Sequence, residues 1–375
     1  MTTTVPTRGM ELRSKISKDG QLELSLVDVD VPAPAADQVI VRVEAAPISP
    51  SDLALLLGPI DGATLAASGT QERPIITARI PPARLPGLTG RLDQSMSVGN
   101  EGAGTVIAAG DPKLVGKRVA LAAGGMFAQY RVVRGSDCLV LPDGTTAAQG
   151  ASAFVNPMTV LSMLETMRRD HHTALVHTAA ASNLGQMLVR TCLADKVPLV
   201  NIVRSADQVA LLRSLGAVHV LDSTTPSFRE DLVEAIAATG ATLAFDAISG
   251  GTLASQILGA METAAARRAT AYSRYGTNVL KQVYIYGRLD LRPLELDASF
   301  GLTWSVSGWL LTSSLAKSGG EVVMRLRARV LAELATTFAS KYTAEIGLAK
   351  ALDLDTLRRY SRRATGEKYL LTPNG

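Results

Sequence analysis

The sequence predicts an α/β protein of two domains, a β-barrel-like first part followed by a parallel, doubly wound sheet. Three observations predict it. The 375 residues are too many for one ordinary core and suit two of common size. Residues 10–150 read as short β segments with turn punctuation. From residue 151 strands alternate with longer helical patterns, the rhythm of right-handed βαβ units.

In the first part, "QLELSLVDVDVP" alternates Leu22, Leu24 and Leu26, and "QVIVRVEAAPIS" runs from Val39 to Val43. "GAGTVIAAG" and "GKRVALAAG" continue the β pattern. Residues 59–98 are rich in Pro and Gly and show neither period, which predicts a long loop that shapes a lid or a partner surface. In the second part "TALVHT" leads to a helix at 183–195 and "VPLVNIVR" to one at 206–215. "AVHVLDS" leads to a helix at 227–238 and "ATLAFDAIS" to one at 251–268. "NVLKQVYIYG" adds a strand, and "TWSVSGWLLTSSL" reads as a strand turning into a helix. The end, "LRRYSRRATGEKYLLTP", has helix-then-strand character and is expected to return to the first domain.

Composition excludes several function classes. With 47% hydrophobic and 19% charged residues the chain is an ordinary globular protein. Basic residues are scattered except for Arg358, Arg359, Arg362 and Arg363, whose helical spacing gives a solvated face and no nucleic-acid footprint. No apolar run approaches ~18 residues and no signal pattern opens the chain, so no membrane partner is expected and the cytoplasm is the expected location. Cys138 and Cys192 lie far apart in apolar contexts and read as core thiols.

The chemistry-bearing stretch is "TALVHTAAASNLGQMLVRTC", residues 173–192. A dinucleotide fingerprint needs one glycine for the tight turn, a second for backbone approach to the pyrophosphate and a third for helix–strand packing. Those places fall on Ala180, Ser182 and Gly185, and only the last is glycine. Small side chains still line the turn from Ala179 through Ala181 to Ser182, at a helix N-terminus whose dipole favours an anion. Asn183 is of a type that enters left-handed conformations cheaply, and Ser182 and Asn183 bring side-chain donors. Leu184, Met187, Leu188 and Cys192 share one helical face, as packing on a sheet requires. A βα-turn without a ligand is the alternative, and the end of the second strand separates the two. An NAD site carries Asp or Glu there, about 20 residues on; this chain has "NIVRSADQ", with Arg204 and Ser205 at that point and no carboxylate before Asp207. A guanidinium suits the 2′-phosphate of NADP through paired, charge-assisted bonds. A surface arginine opening a helix is the competing account.

Several stretches together resemble the medium-chain dehydrogenase/reductase superfamily, in its zinc-free quinone oxidoreductase and 2-enoyl thioester reductase branches. They are "AAPISPSDLALLLG", "VGNEGAGTVIAAG", "GKRVALAAGGMFAQYRVVRGSDCLVLPDG", "NPMTVLSML", "VNIVRSADQVALLRSLGAVHVLDS" and "YIYGRLDLRPLELD". The resemblance implies a GroES-like barrel at 1–150 completed by 336–375, and a Rossmann domain at 151–335. It implies that Ser182, Asn183 and Leu184 border the pyrophosphate, in one turn with Ala180, Ala181 and Gly185, and that Arg204, next to Ser205, meets the 2′-phosphate. Thr159 would face the nicotinamide side, Tyr286, Gly287 and Arg288 would line the cofactor, and Asp246 and Ile248 would end a strand on the same rim. Core packing competes for Thr159, Tyr286 and Ile248. Ser49, Ser51 and Asp52 fall where relatives approach the nicotinamide and substrate, although Asp52 serves equally well as a helix cap.

Departures from the pattern matter too. The usual G-H-E reads Gly99-Asn100-Glu101, no Cys cluster exists, and His171, His172, His177 and His219 read as structural or exposed, so no metal is expected. No tyrosine follows the S-D pair before Tyr130, unlike the thioester reductases. The expectation is an NADPH-dependent, zinc-free reductase of a quinone or an α,β-unsaturated carbonyl compound, dimeric through "SGWLLTSSLAK". Enoyl-thioester reduction and a non-catalytic NADPH-binding sensor or scaffold are the alternatives.

Overall fold

The structure, a computed structural model, describes residues 5–362 and 364–375. The chain divides into two compact units, Met1–Val155 with Val330–Gly375, and Asn156–Arg329.

The first unit opens with β1 (Arg8–Ile16), β2 (Gln21–Asp30), β3 (Gln38–Pro47), α1 (Pro50–Leu56), β4 (Asp61–Gly69) and β5 (Pro74–Arg79). It continues through β6 (Met96–Ser97), β7 (Gly102–Ala109), β8 (Arg118–Leu121), β9 (Tyr130–Arg134), β10 (Leu139–Val140) and α2 (Ala147–Gly150). One antiparallel sheet runs β4-β5-β2-β1-β6, and a second runs β10-β8-β7-β3 with β9 also on β3. The alternation read in β2 is real: Leu22, Leu24 and Leu26 are buried, with Leu12, Ile16, Val41, Val43 and Phe127 in the same core.

Residues 59–98 overturn the loop expectation. They hold the β4–β5 hairpin, a 3₁₀ segment Pro82–Arg91 and β6. β4 is "DGATLAASG", mostly exposed along its length, so no buried face imposed a period of two on its sequence. β5 does bury Ile76 and Ala78 and carries β4 onto the sheet. The 3₁₀ segment is pinned by Arg91, whose guanidinium donates to the Ser14 hydroxyl at 2.8 Å and the Leu55 carbonyl at 2.6 Å.

Helix α3 (Val155–Arg169) leads into the second unit, which builds β11 (Leu175–His177), α4 (Asn183–Ala194), β12 (Leu199–Val203), α5 (Ala206–Ser214) and β13 (His219–Asp222). Then come α6 (Phe228–Thr239), β14 (Leu243–Asp246), β15 (Ser249–Gly251), α7 (Leu253–Ala266), β16 (Lys281–Ile285) and β17 (Asp290–Leu294). β18 (Trp304–Gly308), α8 (Leu311–Ser318) and α9 (Gly320–Ala332) finish the series. Six strands pair in parallel in the order β13-β12-β11-β14-β16-β18, while β15 pairs β17 separately. Numbered within the sheet this is 3-2-1-4-5-6, the Rossmann order, with its reversal point between β11 and β14. Every residue of β11, β12 and β14 is buried, so these strands read as largely apolar segments without alternation, broken only by His177, Asn201 and Asp246.

The chain then returns to the first unit through β19 (Ala344–Ile346), α10 (Leu348–Ala351), α11 (Leu354–Ser361) and β20 (Tyr369–Leu371). β20 pairs antiparallel with β3 and parallel with β19, so the last residues complete the second sheet. Arg358, Arg359 and Arg362 are exposed, while Arg363 lies outside the described residues. Cys192 is buried and its thiol is pushed up to about 12 by burial, whereas Cys138 is only half-buried, short of the core position expected for it. Among the described residues no helix is long and apolar enough to cross a membrane.

Replacing Arg91 with Ala removes both clamps on the 3₁₀ segment. We expect a loss of about 1–3 kcal/mol in stability, with limited proteolysis cutting first within residues 82–95; an unchanged cleavage pattern would show that the segment is held by other means.

Candidate functional site

Open parallel sheets bind ligands outside the carboxyl ends of their strands, at the point where strand order reverses. In the second unit that rim is formed by the residues following β11, β12, β14 and β16. Ala180–Gly185, Arg204–Ser205, Asp246–Ile248 and Tyr286–Arg288 all lie there, so the fold gathers most of the sequence-selected positions on one edge. Thr159 instead sits buried on α3.

The turn after β11 achieves without its usual glycines what the fingerprint requires. The left-handed residue is Ala179, with φ of 50°, and not Asn183, which begins α4. The Ala180 amide donates to the Ile202 carbonyl at 3.1 Å, tying the turn to β12. Ser182 caps α4: its hydroxyl accepts from the Gly185 amide at 3.1 Å. Within this turn Gly185 must be glycine, because a Cβ there would lie 2.1 Å from the Ala180 carbonyl oxygen. First-turn amides of a helix have no intrahelical acceptor; with the Gly185 amide taken by Ser182, it is the positive end of the helix dipole that favours an anion here.

Two cations flank the rim. Arg204 and Arg288 are exposed, and neither guanidinium pairs with any described residue. The Arg204 amide is fixed by the Gln208 side chain at 3.0 Å, and Ser205 caps α5 by accepting from the Gln208 amide at 3.4 Å. These groups fit a dinucleotide bearing a 2′-phosphate: small side chains and amides for the pyrophosphate, an uncommitted guanidinium for the phosphate, and no carboxylate beside it.

Asp246 ends its strand on the rim but turns inward. Its carboxylate accepts from the Thr178 hydroxyl at 2.6 Å and from the amides of Ile248 and Ser249 at 2.9 and 3.0 Å, and it thereby shapes the loop after β14. The Thr178 hydroxyl accepts from the Ala247 amide at 2.9 Å, so β11 and β14 are laced together at the reversal point. Tyr286 also turns inward, its hydroxyl 2.7 Å from His177 Nε2 with the two rings stacked. Burial pulls His177 down to about 3, so the ring stays neutral. Gly287 allows β16 to pass close to the chain after β14, where a Cβ would sit 2.8 Å from the Ala247 oxygen.

In the first unit, Asp52 takes the bland role. One carboxylate oxygen accepts from the Ser49 amide at 2.8 Å and the other from the Asn100 amide at 2.7 Å, so it caps α1 and ties it to the segment before β7. Burial pushes its carboxyl up to about 7, against those two amide bonds. Asn100 donates from its side chain to the Ser51 hydroxyl at 3.0 Å. Beside this knot lies a group of buried and half-buried side chains that sequence reading did not single out as a site: Glu101, Ser152, Tyr342 and Lys368. Lys368 donates to the Ser152 hydroxyl at 2.7 Å, and that hydroxyl is 2.8 Å from the Tyr342 hydroxyl. Glu101 accepts from the amides of Phe154 and Val155 at 3.0 and 2.8 Å. Nothing local links these four positions. Thr178 and His177 gave a weak signal, polar groups inside an otherwise apolar strand.

Comparisons with known proteins agree with the fold. No family profile matches the chain. It is 26% identical over 216 residues to the chloroplastic quinone-oxidoreductase homolog of Spinacia oleracea, covering 54% of this chain and 57% of that protein. It is 28% identical over 210 residues to the mitochondrial enoyl-[acyl-carrier-protein] reductase of Xenopus tropicalis, covering 53% and 51%. The match to highly reducing polyketide synthase 2 of Gibberella zeae, 25% identical over 194 residues, takes in 49% of this chain and 8% of that protein. The matches thus span little more than half, or far less, of these relatives' own lengths. Among solved structures, a Mesorhizobium loti chain described as an NADPH:quinone reductase is 26% identical, with a TM-score of 0.74 over 99% of this chain and 100% of its own. An enoyl thioester reductase mutant from Candida tropicalis shares the fold at 19% identity, with a TM-score of 0.67 over 97% and 99%.

Two outcomes follow. Ala179→Gly relieves a left-handed alanine and is expected to raise stability by about 0.5–1 kcal/mol in urea unfolding; a loss would mean that the turn does not hold this conformation. Unfolded histidine gains its proton near 6.5 but native His177 refuses it until about 3. The stability this contributes is therefore complete above 6.5 and is lost as pH falls toward 3, on the order of 5 kcal/mol. His177→Gln should flatten that acid limb, and an unaltered pH dependence would count against the burial of a neutral ring.

Proposed function

We propose that this member of the medium-chain dehydrogenase/reductase superfamily is a zinc-independent, NADPH-dependent reductase of a quinone or an α,β-unsaturated carbonyl compound. The observation that carries the reading is the uncommitted Arg204 guanidinium at the end of β12, on the reversal-point rim and with no carboxylate before Asp207. The named activities of the similar proteins, quinone reduction and enoyl reduction, support the reaction class.

Ser182, Asn183 and Leu184, with Ala180, Ala181 and Gly185, would hold the pyrophosphate, and Arg204 with Ser205 the 2′-phosphate. Gly287 and Arg288 would border the cofactor further along the rim, with Thr159 on the nicotinamide side. The inward groups Asp246 and Tyr286 would act by fixing the strand ends against which the cofactor rests, with Ile248 behind them. Bound NADPH supplies a hydride, and the acceptor takes it without a metal because the resulting negative charge is delocalised onto oxygen. Asn100 stands where a zinc-binding histidine would be needed, which supports the metal-free form. Ser49 and Ser51, at the head of α1, are the candidates for orienting the acceptor's oxygen. β18 ends the parallel sheet with an open edge, and a second copy of the chain is the partner we propose for it.

Thioester reduction remains the second reading, supported by the enoyl reductases among the relatives. A single panel separates the possibilities: protein and NADPH with quinones, enones and enoyl thioesters, followed by loss of the reduced-nicotinamide absorbance. Turnover of quinones or enones is expected. Activity confined to thioesters would move the assignment, and NADPH binding without oxidation of any kind would leave a sensor. Arg204→Ala should weaken NADPH at least ~10-fold while leaving NADH nearly unchanged, since a charged hydrogen bond contributes about 1.5–3 kcal/mol. Equal weakening of both would show that the arginine does not read the phosphate.

A further inference from the structure

We propose that the first unit carries a binding site for a small organic carboxylate, in the cavity where Arg131 of β9 meets Glu11 and Arg13 of β1. The site lies wholly within that unit and does not depend on the reductase reading.

Local structure brings the three side chains together. Along β1 the period of two sends Leu12 into the core and places Glu11 and Arg13 on the opposite face, where charged groups would ordinarily meet water. Glu11 is nevertheless only 3% exposed. The chain entering β9 runs along β1: the Leu12 amide donates to the Phe127 carbonyl and the Gln129 amide to the Met10 carbonyl, each at 2.9 Å. The Gln129 side chain closes the contact by accepting from the Met10 amide at 2.9 Å. Arg131 follows directly and comes within 3.9 Å of the Glu11 carboxylate. Together they border a cavity of about 220 Å³ that Tyr130 and Asp30 also line, with Val31 and Val132 supplying an apolar wall. Asp30 is exposed, so the cavity reaches the surface.

Pairing within the cluster is unequal. Arg13 is held twice, by its ion pair with Glu11 and by the Ser95 carbonyl, to which Nη1 donates at 2.8 Å. Arg131 has no such hold: its guanidinium makes no hydrogen bond among the described residues, its Nε is buried without a partner, and Glu11 stands beyond hydrogen-bond reach. A guanidinium carries five N–H donors and keeps its charge in proteins. Leaving this one 24% exposed with no donor bonded is costly unless something polar completes it. Burial draws Arg131 down, with Glu11 opposing and Arg13 adding to the effect. The backbone is shaped around the group all the same. Gly125, at φ of 65°, lies against the guanidinium, and a Cβ there would come 2.9 Å from its Cζ.

Charge and shape name the ligand class. Arg13 and Arg131 face the single carboxylate of Glu11, and Asp30 at the opening is paired with Arg8 at 3.3 Å, so one positive charge is left over. A carboxylate brings one negative charge and a planar pair of acceptors that matches the guanidinium fork. Val31 and Val132 would take its organic part, and the Tyr130 hydroxyl, bonded to no described residue, is a further donor on the cavity wall. Inorganic phosphate brings more charge and no apolar part.

Titration of the whole chain with sodium isobutyrate at constant ionic strength, read by saturation-transfer NMR and by thermal unfolding, tests the site. Saturable binding and a Tm that rises with isobutyrate are expected, with neither seen for isobutyramide, which has the same shape and no charge. Arg131→Gln should weaken isobutyrate at least ~10-fold, while Arg204→Ala, in the other unit, should leave it within twofold of the parent. Should Arg131→Gln not fold, Arg131→Lys carries the test: it keeps the charge but loses the fork, and weaker isobutyrate binding is expected. No saturable binding, an equal response to isobutyramide, or parent-like affinity in the folded Arg131 variant overturns the assignment. Loss of binding in Arg204→Ala would place the anion in the second unit and also overturns it. Inorganic phosphate binding more tightly than isobutyrate would overturn the ligand class. Failure of the protein to bind NADPH or to turn over any acceptor, with isobutyrate binding intact, would sink the reductase reading and leave this site standing.

Discussion

The second unit depends on how closely helix α4 can approach the end of strand β11. That approach is set by backbone contact: a carbonyl oxygen at Ala180 stands where any side chain at position 185 would have to go. With glycine there, the helix N-terminus can sit directly over the strand ends, its amides pointing toward the reversal point of the sheet. The Thr178–Asp246 lacing then fixes β14 to β11, and the His177–Tyr286 pair fixes the end of β16. Thr178, Asp246 and Tyr286 are committed to one another's strands and to neighbouring backbone, which leaves the helix N-terminus and the arginines as the parts that face outward.

The turn shows how a fingerprint can lose residues and keep its physics. Its first two glycines serve a left-handed conformation and an uncrowded path for the pyrophosphate. Here alanine supports the first at a modest steric cost, and small side chains stand at the place of the second. Only the third glycine answers to a backbone clash, and it alone has been kept.

Much of this was legible in the sequence. The alternation of "QLELSLVDVDVP", the four strand–helix repeats after residue 173 and the helix-then-strand ending all have counterparts, because burial on one or both faces writes a period into the residues. The β4–β5 hairpin was not legible, since an exposed strand of small residues carries no such period. At the site, the positions along the turn and at the end of β12 could be read because their neighbours are local. The orientation of Asp246, Tyr286 and Asp52 could not: a carboxylate or phenol at a strand end looks the same in sequence whether it faces a ligand or its own backbone. The Glu101, Ser152, Tyr342 and Lys368 group was invisible for a different reason, being assembled from four distant segments.

The central claim is that this glycine-poor turn, with Arg204 beside it, holds a dinucleotide carrying a 2′-phosphate. Calorimetric titration of the protein with NADPH and with NADH under identical salt tests it most directly. Saturable one-to-one binding of NADPH, at least ~10-fold tighter than NADH, is the predicted result. No heat with either form, or equal affinity for both, would contradict the account.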